Sequence, residues 1–189
     1  AISFTGTIDN TQTLSLAAGA GTVTVSGVVG GGTPLAGFTV VSAATAALGS
    51  VFTTGAQSVT GTAITLNGPT YQATTAAAAI SYTGAVGLGG PVGVTTNNGN
   101  ISFSSTINGA QALSLAAGTG AVTVTGVVGT SAVSANRLSS FTVVSAASVA
   151  LSSVFTSGVQ SVTGTAITLN GPTYQATTAA AGISYTGAV

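Results

Sequence analysis

Three short stretches decide the fold: Ile80-Ser-Tyr-Thr-Gly-Ala-Val86, Ile101-Ser-Phe-Ser-Ser-Thr-Ile107 and Val122-Thr-Val-Thr-Gly-Val-Val128. Their first residues lie 21 apart, and each alternates apolar with small hydroxyl or glycine positions. Alternation with period two is the pattern of a strand buried on one face only. Successive side chains point to opposite faces, so the apolar members go inward and Ser and Thr outward.

The 21-residue step extends in both directions. Backwards from Ile80 it lands on Val59 and Phe38, and Ile2 and Val23 share the spacing. The same register continues in the second half at Phe141, Val162 and Ile183. Further apolar clusters recur within each coil, at Val86, Val92 and Val94, then Ile107, Leu113 and Leu115, with Ile8, Leu14 and Leu16 in the first and Leu35 nearby. Like residues at like positions suit columns of stacked parallel strands about 4.8 Å apart. The expected fold is therefore all-β: a parallel β-helix (β-solenoid) of about nine coils, about 21 residues each, on the order of 43 Å long at that rise. Steps of 15 residues (Val23 to Phe38) and 19 (Val122 to Phe141) read as corners of variable length, and Ile64 and Leu66 fit with a one-residue slip. A sandwich is the alternative architecture.

A coarser repeat lies over the fine one. Ser42 to Val86 recurs as Ser145 to Val189 with 39 identities in 45 positions, and Ile2-Ser3-Phe4 recurs as Ile101-Ser102-Phe103. The two offsets differ by four residues because TSAVSANRL, with Arg137, replaces GGTPL. An insertion tolerated in one copy marks an outer loop. The chain thus divides into copies at 1–99 and 100–189, read as one continuous rod. Alanine tracts at Ala43 to Leu48 and Ala76 to Ala79 are too short for stable helices and read as corners or small strand positions.

Composition narrows function. Among 189 residues the only charged side chains are Asp9 and Arg137, and His, Cys, Met and Trp are absent. Abundant Val, Ile and Thr argue against disorder. One arginine cannot neutralise a run of phosphates, which excludes nucleic acid. No run nears the roughly 18 apolar residues of a membrane-spanning helix. Near-zero net charge favours association between copies.

The residues that carry the clearest resemblance are GTIDNTQTLSLAAGAGTVTVSGVVGGGTPLAGFTV (Gly6 to Val40) and STINGAQALSLAAGTGAVTVTGVVG in the second copy. An acidic or amide turn, a QxLxL strand (Gln12 to Leu16, Gln111 to Leu115), an AGxGxVT corner (Ala18 to Thr24, Ala117 to Thr123) and a TPL segment (Thr33 to Leu35) follow in order. This text resembles the repeats of large secreted bacterial adhesins of the filamentous haemagglutinin type. The resemblance implies a right-handed parallel β-helix at the bacterial cell surface or outside the cell. The second copy departs from it by losing TPL, so host-cell binding is not carried over.

Candidate chemistry is sparse. General acid–base catalysis needs positioned titratable groups, and metals need His, Cys or carboxylate clusters. Neither can be assembled from this composition, so the expectation is a non-catalytic chain without cofactors. Asp9, aligned with Asn108, reads as a turn residue capping local backbone, and Arg137 as a solvated loop residue. Gly30-Gly31-Gly32 and Gly87 to Pro91 read as corners, and Asn67 and Asn170 as turns or Asn ladders. Phe4, Tyr82, Phe103 and Tyr185 fall in one expected aromatic column, interior or, as the alternative, an outer strip for sugar rings. Thr-x-Thr at Thr5, Thr22, Thr60 and Thr123 raises ice binding, which would need the pairs in register on one flat side. Low charge and high β-propensity also suit an amyloid-like fibre.

The chain opens in a strand at Ile2 and reaches Val189, the counterpart of Val86, without a lysine, proline or capping helix at either edge. Solenoid ends normally carry caps. The expected partner is therefore the rod itself, by end-to-end self-association or by continuation in a longer chain whose residues after Val189 resemble Gly87 to Gly99. A surface or carbohydrate ligand is a further possibility.

Overall fold

A computed structural model of the chain describes residues 1–130 and 134–189. It is a parallel β-solenoid of about nine turns. Each turn has three strand positions, called here faces one, two and three, taken in that order along the chain. The first coil holds β1 (Ile2–Phe4), Ile8 and β2 (Thr13–Ala17); the second holds β3 (Thr22–Val25), Val29 and β4 (Gly37–Ser42). The third runs through β5 (Thr45–Leu48) and β6 (Val51–Thr53) into β7 (Gln57–Leu66), which bends at a corner and opens the fourth. There β8 (Thr70–Ala73) precedes β9 (Ile80–Leu88), which bends likewise into the fifth coil with β10 (Val92–Thr96) and β11 (Ile101–Phe103). The sixth is β12 (Ile107–Asn108), β13 (Ala112–Ala116) and β14 (Ala121–Val124). Val128, β15 (Ser140–Ser145) and β16 (Ser148–Leu151) make the seventh. The eighth is β17 (Val154–Thr156) with β18 (Gln160–Leu169), and β19 (Tyr174–Ala176) with β20 (Ile183–Ala188) lie above it in the ninth.

All pairings between these strands are parallel, and each joins a strand to the coil above or below. On face one the inward column is Ile2, Val23, Ala46, Ile64, Val86, Ile107, Val128, Val154 and Tyr174. On face two it is Ile8, Val29, Val51, Tyr71, Val94, Leu115, Val143, Val162 and Tyr185. On face three Leu14, Phe38, Gln57, Ile80, Ile101, Val122, Val149 and Ile167 follow one another. A fully buried Val, Leu, Ile or Phe contributes about 1.5–3 kcal/mol relative to exposure, but a single coil has no neighbour to bury it against. Stability therefore belongs to the array.

Ile80, Ile101 and Val122 stack one above another, as the 21-residue spacing requires. The longer column drawn from that spacing is redistributed. Ile2 and Val23 stand on face one. Phe38 joins the Ile80 column through Gln57, while Val59 pairs with Tyr82 two residues further on. Phe141 and Ile183 share a face-two column with Val92, Leu113 and Gln160, and Val162 stands in the neighbouring column of that face. The physical reason is corner length: the step between stacked partners varies from 18 residues (Ala46 to Ile64) to 29 (Ala116 to Ser145). A fixed step drifts from face to face across such corners.

The aromatic set divides in the same way. Tyr82 and Phe103 stack with ring centroids 4.9 Å apart, but Phe4 lies on face one and Tyr185 on face two. Of the expected core residues, Ile2, Phe4, Leu14 and Tyr185 are half-buried, and Ile183 is 40 % exposed; the others are buried. All five exceptions belong to the first or ninth coil, which has a neighbour on one side only. The alanine tracts become a strand (Thr45–Leu48) and a turn in which Ala77 takes φ 64°. The TSAVSANRL insertion contains a 3-10 turn, Ser134–Asn136, and its residues 131–133 lie outside the described residues.

Candidate functional site

The outward positions form the most regular surface of the rod. On face three Ser15, Thr39, Ser58, Ser81, Ser102 and Thr123 follow one another through six coils, with Ala150 and Thr168 above them. Two residues along the chain from five of these stand Thr60, Thr83, Ser104, Thr125 and Ser152. Thr60 pairs directly with Thr83, and backbone bonds Ser104 N to Tyr82 O, Thr125 N to Phe103 O and Ser152 N to Val124 O keep the rest in step. The result is a two-column hydroxyl array with rows about 4.8 Å apart. The Thr-x-Thr pairs chosen from sequence make only part of this array: Thr123 and Thr125 form one of its rows and Thr60 stands in its second column, but Thr22 and Thr24 lie on face one. The usable signal was the hydroxyl at the centre of each triplet, LSL, FTV, QSV, ISY, ISF and VTV.

Beside the array the corner from face three to face one is indented. Ser42, Thr60, Thr62, Thr83, Ser104 and Ser105 line a shallow groove of about 440 Å³ along the rod. The corner is tight because β7 and β9 pass through it without a loop. Gly84 takes φ 133° there, and a Cβ on it would collide with the carbonyl oxygen of Gly61. Groove and array contain no charged residue.

Inside the rod the corners are held by polar side chains that sequence reasoning missed. Gln57 is buried in the face-three column, and its Nε2 donates to Val51 O (3.1 Å), Thr53 Oγ1 (3.2 Å) and Gln72 O (2.8 Å). Gln160 repeats this with Val154 O, Thr156 Oγ1 and Gln175 O at 3.1, 3.2 and 2.7 Å. Tyr71 Oη donates to Leu48 O at 2.9 Å, as Tyr174 Oη does to Leu151 O at 3.0 Å. Burial pushes the Tyr71 hydroxyl up, although backbone bonds at Gly68 and Asn67 oppose this. Tyr82 is likewise raised well above the ordinary tyrosine value, by burial and then by neighbouring Tyr71. A buried Gln in an otherwise apolar column was the available signal.

The two charges act differently from expectation. Asp9 caps the next coil rather than its own turn: Oδ1 accepts from Gly32 N (3.0 Å) and Thr33 N (3.1 Å). Arg137 is half-buried rather than fully exposed, with its Cα against the Gly129 corner. Asn98 and Asn100 repeat the inter-coil cap, accepting from Thr119 N and Ala121 N at 2.9 Å each. Among the described residues no group of three His, Cys, Asp or Glu side chains could hold a metal ion, and no helix is long and apolar enough to cross a membrane.

Set against family models, curated proteins and solved structures, the chain matches none. The resemblance to adhesin repeats therefore rests on the motifs quoted above, and the β-solenoid on the coordinates.

Proposed function

We propose that the chain is a non-catalytic structural and adhesive rod of a secreted or cell-surface bacterial protein, extending an extracellular fibre by end-to-end stacking of coils. The observation that supports this reading is the parallel stack itself, in which each inner coil pairs along its strands with the coils above and below and buries its apolar columns against them. Each strand pairs with a different strand of the same chain, which favours a solenoid over identical stacked segments. Electron microscopy of purified native material tests the proposal. Rods with one chain per nine coils of mass per length are expected; isolated globular particles at all concentrations would refute it.

The hydroxyl array favours a second reading, an ice-binding face, because four Ser/Thr pairs, from Ser58/Thr60 to Thr123/Thr125, stand in register on consecutive coils of one side. Thermal hysteresis in dilute solution is the discriminating measurement, and ordinary crystal growth without shaping removes this reading.

A further inference from the structure

The sequence contains four Asn-Gly pairs, at Asn67, Asn98, Asn108 and Asn170. In such a pair the glycine nitrogen can attack the asparagine side-chain carbonyl, because the glycine has no side chain to shield it. The fold treats the four pairs differently. Gly68 N donates to Leu48 O and Tyr71 Oη, both at 3.3 Å, and Gly171 N donates to Tyr174 Oη at 3.1 Å. Both glycines are also packed on the coil below, where an added Cβ would collide with the backbone of Ser50 or Ser153. Asn108 belongs to β12 and pairs with Gly87, which holds its backbone extended in a ladder.

Asn98 stands apart. It is exposed, lies in a bend between β10 and β11, and takes φ 62°. The corners stacked below and above it close on a carbonyl three residues back, Ala78 N donating to Thr75 O at 3.1 Å and Gly120 N to Ala117 O at 2.9 Å. Gly99 is the matching residue, since Ile80, Ile101 and Val122 are in register and each lies two residues further on. Its corner closes instead through Thr96 Oγ1, which donates to Gly99 O at 2.6 Å. Gly99 N has no hydrogen-bond partner among the described residues. The residue is buried, and a buried backbone N–H left unpaired is uncommon. The carbonyl it would attack is already polarised, for Asn98 Oδ1 accepts from Thr119 N of the next coil at 2.9 Å. A fixed donor on the oxygen where charge develops lowers the barrier to attack. The departing nitrogen is loosely held, Nδ2 donating to Asn97 Oδ1 at 3.3 Å.

We propose that Asn98-Gly99 is a self-modification site, at which the folded chain converts its own asparagine to an acidic residue. Gly99 N bonds to Asn98 Cγ as its proton passes to solvent, the Cγ–Nδ2 bond breaks, and ammonia leaves behind a succinimide. Water then opens the ring at Cγ to give aspartate, or at the main-chain carbonyl to give isoaspartate. The sum is asparagine plus water to acid plus ammonia, with no change of oxidation state. The aspartate keeps the bond from Thr119 N and makes it charge-assisted, the arrangement Asp9 has with Gly32 N and Thr33 N. A chain of formal net charge zero thereby gains one negative charge, and like charges on neighbouring rods oppose their association.

The test holds the purified chain in mildly alkaline buffer and follows each Asn-Gly peptide by mass spectrometry for replacement of amide by acid. In the folded chain Asn98 should convert at least about tenfold faster than Asn67, Asn108 or Asn170. In concentrated urea the four should convert within about threefold of one another. Thr119→Pro removes the donor to Oδ1 and should slow Asn98 at least about threefold; if that variant does not fold, the comparison of folded and unfolded parent chain decides. Asn98 converting no faster than the other three in the folded chain overturns the proposal. So does a lead for Asn98 that persists in urea, since it would then belong to the local sequence and not to the corner. An unchanged rate in a folded Thr119→Pro chain refutes the polarised carbonyl on which the site depends.

Discussion

Ile2 and Ile101 begin identical Ile-Ser-Phe strands but stand on different faces, Ile2 under Val23 on face one and Ile101 between Ile80 and Val122 on face three. Fourteen strand positions separate them, four coils and two thirds of a fifth. Each copy is therefore turned by one face relative to the last. The outward series Ser15, Thr39, Ser58, Ser81 on face three returns as Ser114, Thr142, Ser161, Ser184 on face two. A longer array of such copies would display one surface feature in three directions, returning to the first face after three copies.

Gln57 tests the internal polar clamps. Gln57→Leu keeps the volume but leaves the carbonyls of Val51 and Gln72 without their side-chain donor. A buried group stripped of its partner costs about 1–3 kcal/mol, so a loss of about 2–3 kcal/mol is expected. A lower urea midpoint at unchanged slope would report it. Gln160→Leu should move stability in the same direction.

Gly84→Ala should be far more damaging than its size suggests. The residue holds φ 133°, and the new methyl would meet Gly61 O inside a corner with no slack. Loss of the far-ultraviolet strand signal, or destabilisation beyond about 4 kcal/mol, is expected. Gly6 has open space around it, and Gly6→Ala should stay within about 0.5 kcal/mol.

These residues also mark what the sequence made legible. The Ile80–Ile101–Val122 column could be read because two consecutive corners keep the same length. Its extension to Val59, Phe141 and Ile183 failed because the neighbouring corners differ in length, and a slip of a few residues carries a position to another column or face. Hydroxyls on the outside follow from period-two alternation and were legible strand by strand. Their assembly into one array depends on inter-coil register, which lives in corner lengths. Gln57 was legible only as a Gln in an apolar column; its partners are mostly backbone carbonyls, which no side-chain pattern reveals.

Stability should respond to alkali and little to neutral pH. With no His or Cys, the sequence offers no side-chain type that ordinarily titrates between about pH 5 and 9. Burial raises Tyr71 and Tyr82 above the ordinary tyrosine value of 10.0, and pushes Tyr185 up to about 12, with neighbouring Tyr174 adding to the last. The unfolded chain then loses these protons first, above about pH 10, so stability falls as pH climbs from there through the folded values. Thermal midpoints level from about pH 5 to 9 and dropping steeply above 10 are the expected record. A midpoint rising between pH 10 and 12 would contradict the sign.

Tyr82→Phe should be neutral or stabilising, unusual for a residue only 1 % exposed. Its hydroxyl is buried with no hydrogen-bond partner among the described residues, and an unsatisfied buried hydroxyl costs about 1–3 kcal/mol. The ring, by contrast, is well used, stacked on Phe103 at 4.9 Å and edge-on to Tyr71 at 6.2 Å. Phenylalanine keeps both contacts, and the rod already places Phe103 directly above in the same column. A gain of about 0–1 kcal/mol is expected, together with a shallower alkaline fall because one raised tyrosine is gone. Tyr71→Phe provides the contrast: its hydroxyl bonds Leu48 O, so the same change there should cost about 1 kcal/mol. Equal losses at both positions in denaturant titrations would mean that the Tyr82 hydroxyl is satisfied after all.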